Sequence, residues 1–315
     1  MTEAFSTILK QPYWVISIVL GAALVAFACV TVDDANHWTT HPPTTLWLPL
    51  AGVALIGLSS VAFGFNMMVN RPLSDANAGL GLDLSHVREE GGAFSTCVGD
   101  CEIRVIFGRI EEHVGESAAA VVLPANEYFD DECVRDSRTA LGSYVGRMFE
   151  GQIPAFTSLV GGECIRQLGA GVEEQKTTEV RARSFGAGRC VLLSKPLGRA
   201  VSIALVATTT QRAGRGLAAQ ISYLFSGMRE LVSRLADARL NEVVMPVLAA
   251  GHGGIYPPLA LVGLLSAVAE AARYGEGGQR LRKVTIVVFR RGEDSRPEVS
   301  EVVVRRALAL VGQQE

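Results

Sequence analysis

The chain has 315 residues, a formal net charge of −3 and a 49% hydrophobic composition, and its mean hydropathy of +0.27 is unusual for a purely soluble protein. No Lys/Arg block is interleaved with aromatic residues, which argues against nucleic acid as a partner. Six cysteines are scattered, and Cys97 and Cys101, the one close pair, have no second pair or nearby histidine to complete a zinc set; no metal, disulfide or cofactor is expected.

The hydropathy excess lies at the N-terminal end. Trp14 to Val32 and Leu46 to Val69 are uncharged apolar runs, each reaching the ~20 residues that cross a hydrocarbon core of about 30 Å as a helix. They predict a two-helix transmembrane hairpin, about 14–32 and 46–69, within an N-terminal region 1–72. Lys10 and Arg71 flank the pair, whereas the connecting segment holds Asp33 and Asp34 but no Lys or Arg. Both termini are therefore expected on the cytoplasmic side of the inner (cell) membrane. Gly57, Ser60 and Gly64 put small residues on about one face of the second run, which suits close helix packing within the hairpin or between copies.

Residues 73–100 read as a linker, since Leu73 to Gly92 is rich in Gly, Asp and Ser and has little periodicity. Beyond it, 101–315 alternates strand and helix patterns, the signature of an α/β domain. Cys101 to Ile110 is strand-like, and Ala118 to Leu123 suits a buried central strand ending in Pro124-Ala125-Asn126. Ser137 to Phe149 reads as a helix, Gly151 to Gly188 is ambiguous, and Arg189 to Leu193 and Ala200 to Ala207 are strands. Leu217, Ile221, Leu224, Met228, Leu231 and Leu235 form one apolar stripe on a long helix. Glu242 to Leu248 is a strand, a helix runs from about Pro258 to Tyr274, Lys283 to Arg290 is a strand, and Pro297 is expected to start the last helix.

Two loops stand out, each at the carboxyl end of a predicted buried strand, where open α/β sheets bind ligands. The first is Leu123 to Asp131, with Asn126 at its start. The second is Gly251-His252-Gly253-Gly254-Ile255-Tyr256, whose glycines allow close backbone approach to a phosphate. It is neither a P-loop nor a dinucleotide fingerprint. Asn126 reads in two ways, as a ligand-facing amide or as a turn residue that caps its own backbone. Glu127, Asp130 and Asp131 read as a solvated face, or as holders of a cationic group.

Val121-Val122-Leu123-Pro124-Ala125-Asn126 together with Pro246 to Gly254 resembles the macro domain, the module that binds ADP-ribose. The similarity spans about Cys101 to the C-terminus and implies a three-layer α/β/α fold with a mixed central sheet. Behind two membrane spans, this form looks most like the membrane-anchored macro effectors of Thoeris anti-phage systems. That resemblance implies a TIR-domain partner that makes an ADP-ribose-derived nucleotide signal, such as a histidine conjugate of ADP-ribose. It further implies a ligand-sensing effector without catalytic residues, which forms a homo-oligomer on activation and disrupts the lipid bilayer. A membrane-anchored ADP-ribosyl hydrolase and a binder of ADP-ribosylated proteins are the competing readings.

Carried over residue by residue, Asn126 faces the ribose or the variable group, and Gly251, Gly253 and Gly254 give N–H groups to the diphosphate, flanked by His252 and Tyr256. Ala125, Glu127, Phe129 and Ile255 complete the expected contacts. The sequence departs from the family where Gly108-Arg109-Ile110 replaces its Gly-Asp-Ile, whose Asp reads the adenine amine. Acidic Asp130-Asp131-Glu132 also stands where the family has a glycine-rich segment.

Overall fold

The computed structural model describes residues 82–113, 120–212, 216–274, 281–292 and 294–312. The expected membrane hairpin lies outside the described residues, and among those described no helix is long and apolar enough to cross a membrane. Residues from Leu82 onward form one compact unit.

Its elements follow the chain as β1 (Arg88–Glu90), β2 (Ala93–Val98), β3 (Cys101–Gly108), α1 (Ile110–His113), β4 (Ala120–Asn126), α2 (Asp131–Arg135), α3 (Ala140–Met148) and α4 (Ile153–Leu168). Then come β5 (Val172–Gln175), β6 (Arg181–Ser184), β7 (Cys190–Leu193), β8 (Ser202–Arg212), β9 (Gly216–Ala219), α5 (Ile221–Asp237), β10 (Glu242–Pro246), α6 (Pro257–Tyr274), β11 (Lys283–Phe289) and α7 (Glu301–Gly312). The main sheet runs β1, β2, β3, β11, β10, β4, β8, β7, with β9 on β8, while β5 and β6 form a separate two-stranded hairpin. Strands β3, β11, β10, β4 and β8 run parallel to one another. The pairings at both edges are antiparallel, so the sheet is mixed.

Helices cover both faces. Against one face pack Leu224, Met228, Leu231 and Leu235 of α5, Leu261, Leu264 and Val268 of α6, and Val304 and Leu308 of α7. Against the other pack Leu141, Tyr144 and Val145 of α3 and Phe156, Val160 and Cys164 of α4. Val121, Val122 and Leu123 are fully buried, because a central parallel strand covered on both faces needs a continuous apolar run rather than an alternating one. Burying each such side chain contributes about 1.5–3 kcal/mol. Helix α6 lies so close to α5 that a Cβ on Gly263 would sit 2.8 Å from Ile221 Cδ1.

Several expectations need correction. The segment 73–100 is not linker throughout, since Phe94 is buried and β2 pairs antiparallel with β3 from Phe94↔Val105 to Val98↔Cys101. Leu217 is not on the α5 stripe; it belongs to β9, which pairs with the end of β8, and the helix starts at Ile221. Pro297 does not start the last helix, which begins at Glu301. The ambiguous stretch Gly151 to Gly188 contains α4 and the β5–β6 hairpin.

Candidate functional site

The ladder between β4 and β10 stops early. The two strands share only the rungs Val243↔Ala120 and Val244↔Val121, whereas β4 stays paired with β8 as far as Asn126 and β10 with β11 as far as Pro246. Past these rungs the sheet opens into a cleft of about 610 Å³. Pro124 and Pro246 both line it, and neither has an N–H to leave unpaired at the split. The cleft collects the carboxyl ends of β3, β4, β8, β10 and β11 in one place, which is where parallel sheets gather ligand-binding loops.

A register shift in the β4–β8 pairing, from Ala125↔Ala207 to Asn126↔Thr209, marks a bulge at the cleft wall. Such a bulge re-aims the next side chain. Asn126 is 1% exposed; its Oδ1 accepts from the Tyr128 amide at 3.0 Å and its Nδ2 donates to Asp130 Oδ1 at 3.2 Å. The turn reading of Asn126 is thus correct for the oxygen, while Nδ2 keeps a second hydrogen for another acceptor. Phe129 closes the turn with a left-handed φ of 51°. Gln211, from the end of β8, lines the same cleft, and its buried Oε1 has no hydrogen-bond partner among the described residues.

The second loop is a single 3-10 turn, Gly251–Gly253, preceded by Ala249 at φ 66°. Left-handed conformations at non-glycine residues cost of order 1–3 kcal/mol and concentrate at functional sites; here each of the two loops has one. Gly254 N–H donates to Gly251 O at 3.0 Å and Gly253 N–H to Ala250 O at 3.4 Å, so the turn spends both amides on itself. Among the described residues, the amides of Gly251 and His252 have no backbone acceptor. A Cβ on Gly253 would come within 2.9 Å of Ala219 Cβ, whereas one on Gly251 would meet open space.

The remaining wall is charged, and several of its charges are paired with one another. Arg109 Nε donates to Glu111 Oε1 at 2.8 Å, and its Nη2 lies 3.3 Å from Ser143 Oγ, which itself donates to Glu111 Oε1 at 2.8 Å. Burial would raise the Glu111 carboxyl, but its own backbone N–H, Ser143 and Arg109 outweigh that and hold it below the usual carboxylate range. Asp136 accepts three hydrogen bonds from Arg138, at 2.9, 2.9 and 3.0 Å. These bring its carboxyl to about 2. His252 Nε2 approaches Asp136 Oδ2 at 3.6 Å, linking the glycine turn to the loop before α3. Glu298, on the rim, has its carboxyl raised by desolvation.

Of the expected contact residues, Ala125, Asn126, Gly251, His252 and Gly253 line the cleft. Glu127, Phe129, Gly254, Ile255 and Tyr256 do not, and each has a physical reason. Glu127 is buried, with Oε1 accepting from the Gln211 amide at 2.9 Å and Oε2 from Ser184 Oγ at 3.4 Å. Phe129 is core, edge-on to Phe185 at 6.2 Å. Gly254 caps the turn, Ile255 packs on the core, and Tyr256 is 71% exposed beside the start of α6. No local pattern singles out Gln211, Asp136, Arg138, Ser143 or Glu298, which long-range packing brings to the cleft. Cys101 and Cys164 are free, and burial pushes their thiols up to about 12, which leaves them unreactive.

No protein-family model matches the chain, and no curated protein matches its sequence. Among solved structures, the chain is similar to an Oceanobacillus iheyensis macrodomain with MES bound, at 13% identity and a TM-score of 0.45, over 68% of this chain and 93% of that one. It is also similar to Thermosipho africanus DarTG in complex with ADP-ribose, at 13% identity and a TM-score of 0.43, over 69% of this chain and 47% of that one. A Trypanosoma brucei macrodomain in complex with ADP-ribose gives 13% identity and a TM-score of 0.40, over 67% and 69%.

Proposed function

We propose that the cleft between β4 and β10 is a binding site for an ADP-ribose-derived nucleotide, and that the protein is a membrane-anchored sensor of that ligand. The observation that carries this reading is the convergence of the Asn126 loop and the Gly251–Gly253 turn on one cleft of about 610 Å³, within the usual range of about 300–1,000 Å³ for small-molecule sites. The free amides of Gly251 and His252 suit a diphosphate oxygen, and the spare Asn126 amide hydrogen suits a ribose hydroxyl. The macro-domain resemblance of Val121 to Asn126 and Pro246 to Gly254 supports the same ligand class.

Two of the cleft's carboxylates are poorly suited to general-base chemistry, which favours a sensor over a hydrolase; Glu298, raised by desolvation, is the lining carboxyl that a hydrolase would use. Glu111 and Asp136 line the cleft, and both are held below the usual carboxylate range, Glu111 against its burial by its own backbone N–H, Ser143 and Arg109, and Asp136 by Arg138. A general base works best with its pKa near the operating pH, and cation-paired carboxylates are poor ones at neutral pH. The apolar runs Trp14 to Val32 and Leu46 to Val69 serve as the anchor. A TIR-domain protein supplies the signal, and binding shifts the chain toward an oligomer that disrupts the bilayer. Moving such a switch from mostly off to mostly on takes roughly 5.5 kcal/mol of differential affinity.

The test is calorimetry on the full chain with ADP-ribose and then with histidine-linked ADP-ribose, with the ligand recovered afterwards. Saturable binding with intact ligand is the expected result, followed by ligand-dependent leakage from liposomes containing the protein. Cleaved ligand would replace the sensor by an enzyme, and absence of heat with both ligands would remove the nucleotide reading.

A further inference from the structure

The β5–β6 hairpin is exposed along β5, yet the residue that follows that strand, Lys176, has a side chain only 5% exposed. Its Nζ lies 2.5 Å from Asp130 Oδ2 and 2.8 Å from Glu132 Oε2, and 5.6 Å from the centre of the Tyr128 ring. The Lys176 amide donates to Val180 O at 2.9 Å, which fixes the hairpin turn that delivers the ammonium. Asp130 is the hub. Its Oδ1 accepts from Asn126 Nδ2 and, at 3.4 Å, from the Glu132 amide at the start of α2. One line of contacts therefore runs from the hairpin through Lys176 and Asp130 to the side-chain amide of Asn126 in the cleft.

We infer that Lys176 is a positioning residue for the nucleotide site: by clamping Asp130 it sets the direction of the Asn126 amide, so the hairpin is part of the binding apparatus. The inference rests on the proposed nucleotide reading of the cleft. Three features favour positioning over a simple surface ion pair. A surface pair needs no burial and contributes little, whereas this ammonium is removed from water and meets two carboxylates and an aromatic face. Burial by itself would depress the Lys176 ammonium, but the bonds to Asp130 and Glu132 more than offset this and raise it. The lysine also reaches a residue 46 positions earlier in the chain, so local turn geometry does not account for it. Without the ammonium, Asp130 is a half-buried carboxylate held only by weaker donors, and its grip on Asn126 relaxes.

The test compares ADP-ribose binding and thermal melting of the full chain as wild type, Lys176→Met, Lys176→Arg and the double variant Lys176→Met/Asp130→Asn. Lys176→Met leaves a carboxylate without its partner and is expected to lower both stability and affinity, the latter about tenfold. The double variant removes both charges, so its melting temperature is expected to recover while its affinity stays low. Lys176→Arg keeps a cation and is expected to restore most of the binding. Affinity that returns together with stability in the double variant would mean that Lys176 acts on the fold alone, and would overturn the inference. Equal binding by wild type and Lys176→Met would overturn it as well and leave the nucleotide reading intact. A wild-type chain that binds neither ADP-ribose nor histidine-linked ADP-ribose would overturn both.

Discussion

His252 and Asp136, which are 116 positions apart in the sequence, meet at 3.6 Å between Nε2 and Oδ2. They join two separately built parts of the cleft wall, the glycine turn after β10 and the segment leading into α3. Asp136 is the better anchored partner, because Arg138 supplies backbone and side-chain donors to both its oxygens. These bonds, with a smaller contribution from His252, lower its carboxyl from 3.8 to about 2. A carboxylate depressed on folding gives stability that is present above the unfolded value and lost as pH falls through the folded one. The difference in unfolding free energy between wild type and Asp136→Asn is therefore expected to be level at neutral pH and to shrink between pH 3.8 and about 2. Urea unfolding at stepped pH reads this directly; a difference that stays constant across that window would contradict the assignment.

Asn126→Ala is expected to lose ligand binding and also some stability. The buried Tyr128 amide would be left without its acceptor, an omission that costs about 1–3 kcal/mol. Asn126→Asp keeps the acceptor but replaces the donor by a charge facing Asp130, and should lose binding as well. Denaturant unfolding and calorimetry on both variants check the pair. Full stability in Asn126→Ala would show that the turn bond is dispensable.

Gly251 has φ 63° with open space where a Cβ would go. Valine there pays the left-handed cost of about 1–2 kcal/mol, while asparagine tolerates this conformation. Gly251→Val is expected to lose both stability and ligand affinity. Gly251→Asn should melt close to wild type and still bind weakly, because its side chain occupies space over the free amides. Melting curves measured beside titrations separate the two effects, and tight binding by Gly251→Asn would place the ligand away from this turn.

Arg109→Ala should raise the pKa of Glu111. The side chain of Glu111 is only 5% exposed, and removing the guanidinium deletes one hydrogen bond and one favourable charge while the desolvation that opposes them remains. NMR titration of the Glu111 carboxyl carbon checks the direction; an unmoved midpoint would assign its depression to Ser143 and its own backbone N–H.

Much of the fold was legible because its signals are local. The run Ala118 to Leu123 suits a buried central strand, and Leu224, Met228, Leu231 and Leu235 recur at helical spacing. Leu217 continues that spacing by coincidence, and only the pairing of β9 with β8 removes it from the helix. The site was half legible. Asn126 and the glycine turn carry their chemistry in their residue types, whereas Glu127 looked like a ligand contact and is consumed by Gln211 and Ser184. The bonds of Glu127 span 84 and 57 residues, a separation at which no spacing rule operates. Lys176 was invisible for the same reason, since a lysine in an exposed polar hairpin reads as a solubilising residue until its partners are seen.

The early end of the β4–β10 ladder decides what shapes the cleft. Where two strands part after two rungs, the depth and width of the opening are set by hydrogen bonds between main chains, and side chains only decorate the walls. Substitution at Gln211, Ser143 or Glu298 would then change the chemistry of the lining without rebuilding the cavity.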